Sequence, residues 1–161
     1  MNKSALSMLV FFCVFVSIGL GQKVVDFSGS WTLDKEKTEL SRVGLYLSKI
    51  EVTQKGDTLI AKRTYVNRDG EHYPFTEHLT LDGQEAKMEI YDMPRISSAK
   101  LSEDKTCVNV VSTVTYYGDY GATDIQITER WSLEEGNVLK IHSTSKTDEG
   151  ERELAAFYKK L

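Results

Sequence analysis

Only two prolines and two cysteines occur in 161 residues. Two cysteines are too few for the disulfide framework that small exported domains use in place of a core. No Pro-rich linker or low-complexity tract divides the chain, so its length gives one domain. Basic charge is also scarce: 20 Lys and Arg against 24 Asp and Glu give a net charge of −4. A nucleic-acid partner is excluded, because it needs a basic patch. Motifs are missing too. There is no Gly-x-Ser-x-Gly elbow, phosphate loop or His-Glu-x-x-His pair. The three histidines, His72, His78 and His142, lack the spacing of zinc ligands. Asp119 and Asp124 lack the alternating oxygens of a calcium loop. The reading is therefore no metal and no cofactor. What remains, 40 % hydrophobic and 27 % charged, is a globular balance.

The chain opens on a different composition. Lys3 is followed by nine apolar residues, 8–16 (MLVFFCVFV), and then by the small residues Ser17, Gly19 and Gly21. This is the layout of a secretory signal peptide. The run falls short of the roughly 20 residues that a membrane-spanning helix needs, so no transmembrane segment is expected. Phe12 before Cys13 argues against a lipid anchor, which wants a small residue there. Cleavage is expected after Gly21, giving a leader of residues 1–21 and a domain of residues 22–161. The mature chain has 140 residues, a net charge of −5 and one cysteine, Cys107. It is expected to be periplasmic or extracellular, as a monomer or weak dimer. Cys107 reads as a small apolar side chain in a strand, with only Lys105 nearby to lower its pKa.

Period-two alternation fills this domain, and tight turns break it. Ten strands are predicted, over 27–33, 49–54, 58–66, 71–81, 85–91, 96–101, 106–116, 123–133, 138–146 and 151–159. Asp69-Gly70 and Asp82-Gly83 are hairpin turns, because glycine tolerates positive φ. Every connection but 34–48 is too short to cross over, so neighbours are antiparallel. Closure into a barrel hides the edges of such a sheet. The fold class is all-β: a single antiparallel up-and-down barrel of eight to ten strands.

Gly29-x-Trp31 opens the first strand, and the meander follows. This resembles the calycin superfamily of lipocalins and fatty-acid-binding proteins. The layout is most similar to lipocalin-like proteins exported by bacteria. The resemblance implies that Gly29 and Trp31 close one barrel end. It also implies a basic partner for Trp31 on the last strand, with Arg152 and Lys159 the candidates. It departs from secreted lipocalins, which carry a disulfide and a C-terminal helix. It departs from the fatty-acid-binding branch too, since residues 34–48 are too few for that branch's two helices.

Connections of an up-and-down barrel alternate between its ends. End A receives 34–48, 67–70, 92–95, 117–122 and 147–150. End B receives only short charged turns. End A is rich in apolar and aromatic residues: Val43, Leu45, Tyr46 and Leu47, then Tyr91 and Met93, then Tyr116, Tyr117 and Tyr120. Barrel mouths are preferred pocket sites, so the entrance is expected there. The same aromatics would equally cap the core, or form a protein-binding surface.

Three strands carry charge on their apolar faces. Arg63 shares a face with Leu59, Ala61 and Tyr65. Glu77 sits among Tyr73, Phe75, Leu79 and Leu81, and Glu129 among Ile125, Ile127, Trp131 and Leu133. Arg63 and Glu77 lie on neighbouring strands and can pair. Such a cluster would fix a ligand's polar head, with Tyr65, Tyr73 and Tyr116 as further donors. Two Glu against one Arg would favour a head rich in donors or positive charge. Internal ion pairing, or a bulge turning these residues outward, is the plainer explanation.

The sequence therefore reads as an exported protein binding a small, partly apolar molecule. The first rival is an envelope interaction or inhibitor module that holds a protein partner through its Tyr-rich loops. The second is a small barrel enzyme using an interior carboxylate.

Overall fold

The computed structural model describes residues 23–40, 44–119, 121–135 and 137–161. The expected leader, Val43 and Tyr120 lie outside the described residues. Ten strands form one antiparallel sheet: β1 (Gly29–Leu33), β2 (Leu45–Lys55), β3 (Thr58–Asn67), β4 (His72–Thr80), β5 (Asp82–Ile90), β6 (Met93–Leu101), β7 (Cys107–Gly118), β8 (Gly121–Glu134), β9 (Val138–Thr147) and β10 (Gly150–Lys160). Their order is β4-β3-β2-β1-β10-β9-β8-β7-β6-β5. β1 pairs with β10 in register Trp31↔Lys160, which curls the sheet into a barrel. No ladder joins β4 to β5, so the barrel is closed except along that seam.

Several strands run longer than the alternation suggests. β2 reaches back to Leu45 because Ser48 is bulged between Leu47 and Lys49, its hydroxyl donating to the Thr64 carbonyl at 2.9 Å. The bulge absorbs one residue and lets both halves of the strand pair with β3. β6 begins at Met93, because Tyr91 and Asp92 make the preceding turn alone, at φ 49° and 64°. The first strand is shorter than expected. Phe27 donates its amide to the Gln54 side chain and its carbonyl accepts from the Trp31 indole, so 23–28 lies across end B.

That lead-in plugs end B. Phe27 is fully buried and meets Trp131 edge to face at 6.0 Å between ring centres. Trp31, Leu59, Leu79, Val108 and Leu139 pack the same half without access to water. Burying each such large side chain stabilises the fold by about 1.5–3 kcal/mol.

Gly29 sits at φ +145° with the Lys160 side chain laid across it. A Cβ there would approach Lys160 Cε to 2.6 Å. The missing side chain lets Lys160 place its ammonium over the Trp31 ring, 5.1 Å from the centre. This corrects the expected closure pair. Register sets Lys160 on the inner face opposite Trp31. Lys159 points outward and pairs with Asp34 at 3.0 Å, and Arg152 stands at the opposite end, opposite Ser145.

Candidate functional site

Charges from four strands converge halfway up the barrel. Arg63 on β3 reaches Glu129 on β8 in a two-pronged fork, Nη1 to Oε1 at 2.8 Å and Nη2 to Oε2 at 2.9 Å. Its Nε lies 2.8 Å from Glu77 Oε2 on β4. Neither of those two atoms has a hydrogen-bond partner, so that contact is an ion pair without hydrogen-bond alignment. The other Glu77 oxygen accepts from Arg95 Nε at 2.6 Å and from Ser97 Oγ at 2.8 Å, both on β6. Arg95 also donates to Ser112 on β7 at 2.8 Å. The Trp131 indole donates to Glu129 at 2.9 Å. All four charged groups are buried.

The ionisation follows from the pairing. Burial alone would raise both carboxyls, but the neighbouring guanidiniums outweigh it. Arg63 and Arg95 hold Glu77 below the usual glutamate value, and Arg63 does the same for Glu129. Burial would lower Arg63, but the two carboxylates push it well above its usual value. Two cations therefore face two anions. Groups whose folded pKa is depressed contribute stability that is lost as pH falls. Stability is expected to hold above the ordinary glutamate value of 4.5 and to decline below it. Urea titrations across that range check this, and an unchanged midpoint down to strong acid would contradict it.

Arg63, Glu77 and Glu129 are thus brought together, with Tyr65 close enough to feel their charges, but Tyr73 and Tyr116 stand apart. Tyr65 lies one step nearer end A and stacks on Phe75 at 5.8 Å. Tyr73 stands at the rim, where its hydroxyl donates to Glu71 at 2.8 Å. Tyr116 is 51 % exposed and takes no part in the network. The balance of two Glu to one Arg is corrected by Arg95, a residue of β6 although the turn signal at 92–95 predicts a connection there. Ser97 and Ser112 were missed with it, since isolated serines carry no pattern. The expected mouth-loop residues Leu45, Tyr46, Met93 and Tyr117 are strand residues at end A. Cys107 is a buried free thiol, and it accepts from Arg130 Nη2 at 3.2 Å, a basic neighbour supplied by the adjacent strand β8.

The two barrel halves differ in access. Below the charged layer most inward residues are buried, with Leu101 and Leu133 partly so. Above it, toward end A, Tyr65, Phe75, Val114, Ile125, Ile127 and Ser145 keep partial access to water. Toward end A the charged layer is therefore overlain by inward residues that water partly reaches. A cleft of about 120 Å³ along the β4–β5 seam, lined by Glu77, Ala86, Met88 and Ser97, reaches the same charged layer. At the rim Tyr91 spans that seam, donating to the Pro74 carbonyl at 2.8 Å. No cluster of His, Cys, Asp or Glu suited to a metal occurs among the described residues. No helix among them is long and apolar enough to cross a membrane.

No protein-family model matches the chain, and no curated protein matches it. Among solved structures, the zebrafish ileal bile acid-binding protein complexed with cholic acid matches with a TM-score of 0.50 at 16 % identity, over 84 % of this chain and 98 % of that one. A luciferase domain from the dinoflagellate Lingulodinium polyedrum has a TM-score of 0.47 at 6 % identity, over 81 % of this chain and 41 % of that one. The first likeness is one of fold. The chain has the fold of a nearly closed, ten-stranded antiparallel barrel of lipocalin-like type.

Proposed function

We propose that the protein is an exported carrier that holds a small, partly apolar molecule in the barrel lumen, entered from end A. The supporting observation is the contrast between the halves: one end plugged by Phe27, the other with inward apolar residues still reached by water. Large apolar side chains inside a barrel collapse on one another unless something else occupies the space. The ligand's apolar body would lie against Phe75, Val114, Ile125 and Ile127. Its polar end would meet the charged floor of Arg63, Glu77, Arg95 and Glu129. The floor is poorly suited to acid–base chemistry, because each carboxylate is already paired and held at low pKa. This favours the carrier over an enzyme.

The test is native mass spectrometry of the protein expressed from its full coding sequence and purified without organic solvent. The expected spectrum shows a small-molecule adduct, lost when Ile127→Trp fills the lumen. The mass of the bare chain reports the cleavage site, expected after Gly21. A protein adduct instead, weakened by Tyr117→Ala on the exposed rim, would favour the interaction module. A bare barrel with no adduct, unable to take up any amphiphile, would overturn the carrier.

A further inference from the structure

We propose that the lumen selects amphiphiles with an uncharged, hydroxyl-bearing head, and disfavours carboxylates and ammonium ions alike. This deepens the carrier reading and rests on it. A barrel that captures a carboxylate needs a buried cation whose charge is not already matched. Here Arg63 is held between Glu129 and Glu77, with ion-pair distances of 2.8 Å to each. Arg95 is bound to Glu77 at 2.6 Å and to Ser112 at 2.8 Å. The four charges sum to zero. An entering anion would either displace a carboxylate from its guanidinium or leave one uncompensated negative charge in a poorly hydrated interior, and both are costly. An entering ammonium meets the mirror problem, because both carboxylates already have guanidinium partners.

What the lumen walls offer above the floor is neutral. Ser143 and Ser145 lie on the inward face of β9, opposite Glu129 and Ile127, and both are part-buried. Tyr65 adds a phenol whose pKa burial pushes up, so it stays protonated and can donate. Hydroxyls donate and accept, which suits an alcohol head. Arg152 stands on the inner face nearer the end-A rim, opposite Ser145, but it is exposed, and hydrated charges hold ligands weakly.

A matched series isolates the head group: decan-1-ol, decanoate and decylammonium, titrated calorimetrically at neutral pH into the full-length expressed protein. The expected ranking places decan-1-ol about tenfold or more tighter than either ion. Glu77→Gln removes one anion and leaves a surplus cation at Arg95. The ratio of decanoate to decan-1-ol affinity is then expected to shift toward decanoate by about tenfold. Glu129→Gln provides the same surplus if the first variant fails to fold, as judged by its melting profile. Arg152→Gln removes the rim cation and is expected to leave the wild-type ranking in place. Tighter binding of decanoate than decan-1-ol by the wild-type protein would overturn this inference while leaving the carrier standing. Failure to bind any of the three would overturn the carrier and the inference together.

Discussion

Arg63→Met is expected to destabilise the protein by about 3–5 kcal/mol, the usual cost of removing one partner from a buried ion pair. The methionine fills much of the space, so the loss is electrostatic. Glu129 would keep only the Trp131 indole as a donor, and Glu77 only Arg95 and Ser97. Equilibrium urea unfolding measures the loss. Its size should shrink as pH falls below 4.5, because protonation neutralises the stranded carboxylates. Removing the fork as a pair, with Arg63→Met and Glu129→Leu together, should recover most of the stability. A single variant as stable as the double would mean that the network is too hydrated to matter.

Trp131→Ala carries the second large effect, a loss of about 3–5 kcal/mol. Trp131 has no exposed surface. It meets Phe27 at 6.0 Å, lies under the Arg63 guanidinium at 5.1 Å and donates to Glu129 at 2.9 Å. Truncation would leave a cavity at the heart of the packed half and loosen the plug at end B. Trp131→Phe separates packing from hydrogen bonding. It keeps most of the ring, and Glu129 Oε2 still accepts from Arg63, so about 1 kcal/mol is expected. Thermal and urea unfolding of both variants check this; equal losses would assign the role to the indole N–H alone.

The barrel itself was legible because alternation and turns act locally. The inward direction of Arg63, Glu77 and Glu129 was legible for the same reason, since each sits in a strand with period two. Their partners were not. Arg63 and Glu129 belong to β3 and β8, which are not neighbours in the sheet, so the fork crosses the barrel interior. No cross-strand rule reaches across an interior whose width depends on all ten strands. Arg95 was lost to a turn signal. Residues 92–95 read as a connection, yet two non-glycine residues at positive φ make that turn and release Met93, Pro94 and Arg95 into β6. Lys160 was missed by one position of register, which only the β1–β10 pairing sets.

That same pairing governs how the chain must fold. Every other ladder joins strands adjacent in sequence, whereas Trp31 meets Lys160. The hairpins can form early and locally, but the ring shuts only when β10 reaches β1, after the entropy of a very long loop has been overcome. Until then Trp31 has β2 on one side and an open edge on the other. Closure is therefore expected to be the late step of folding. A chain that stops before residue 150 lacks β10 and would present two complementary unpaired edges, at β1 and β9, with self-association as the consequence.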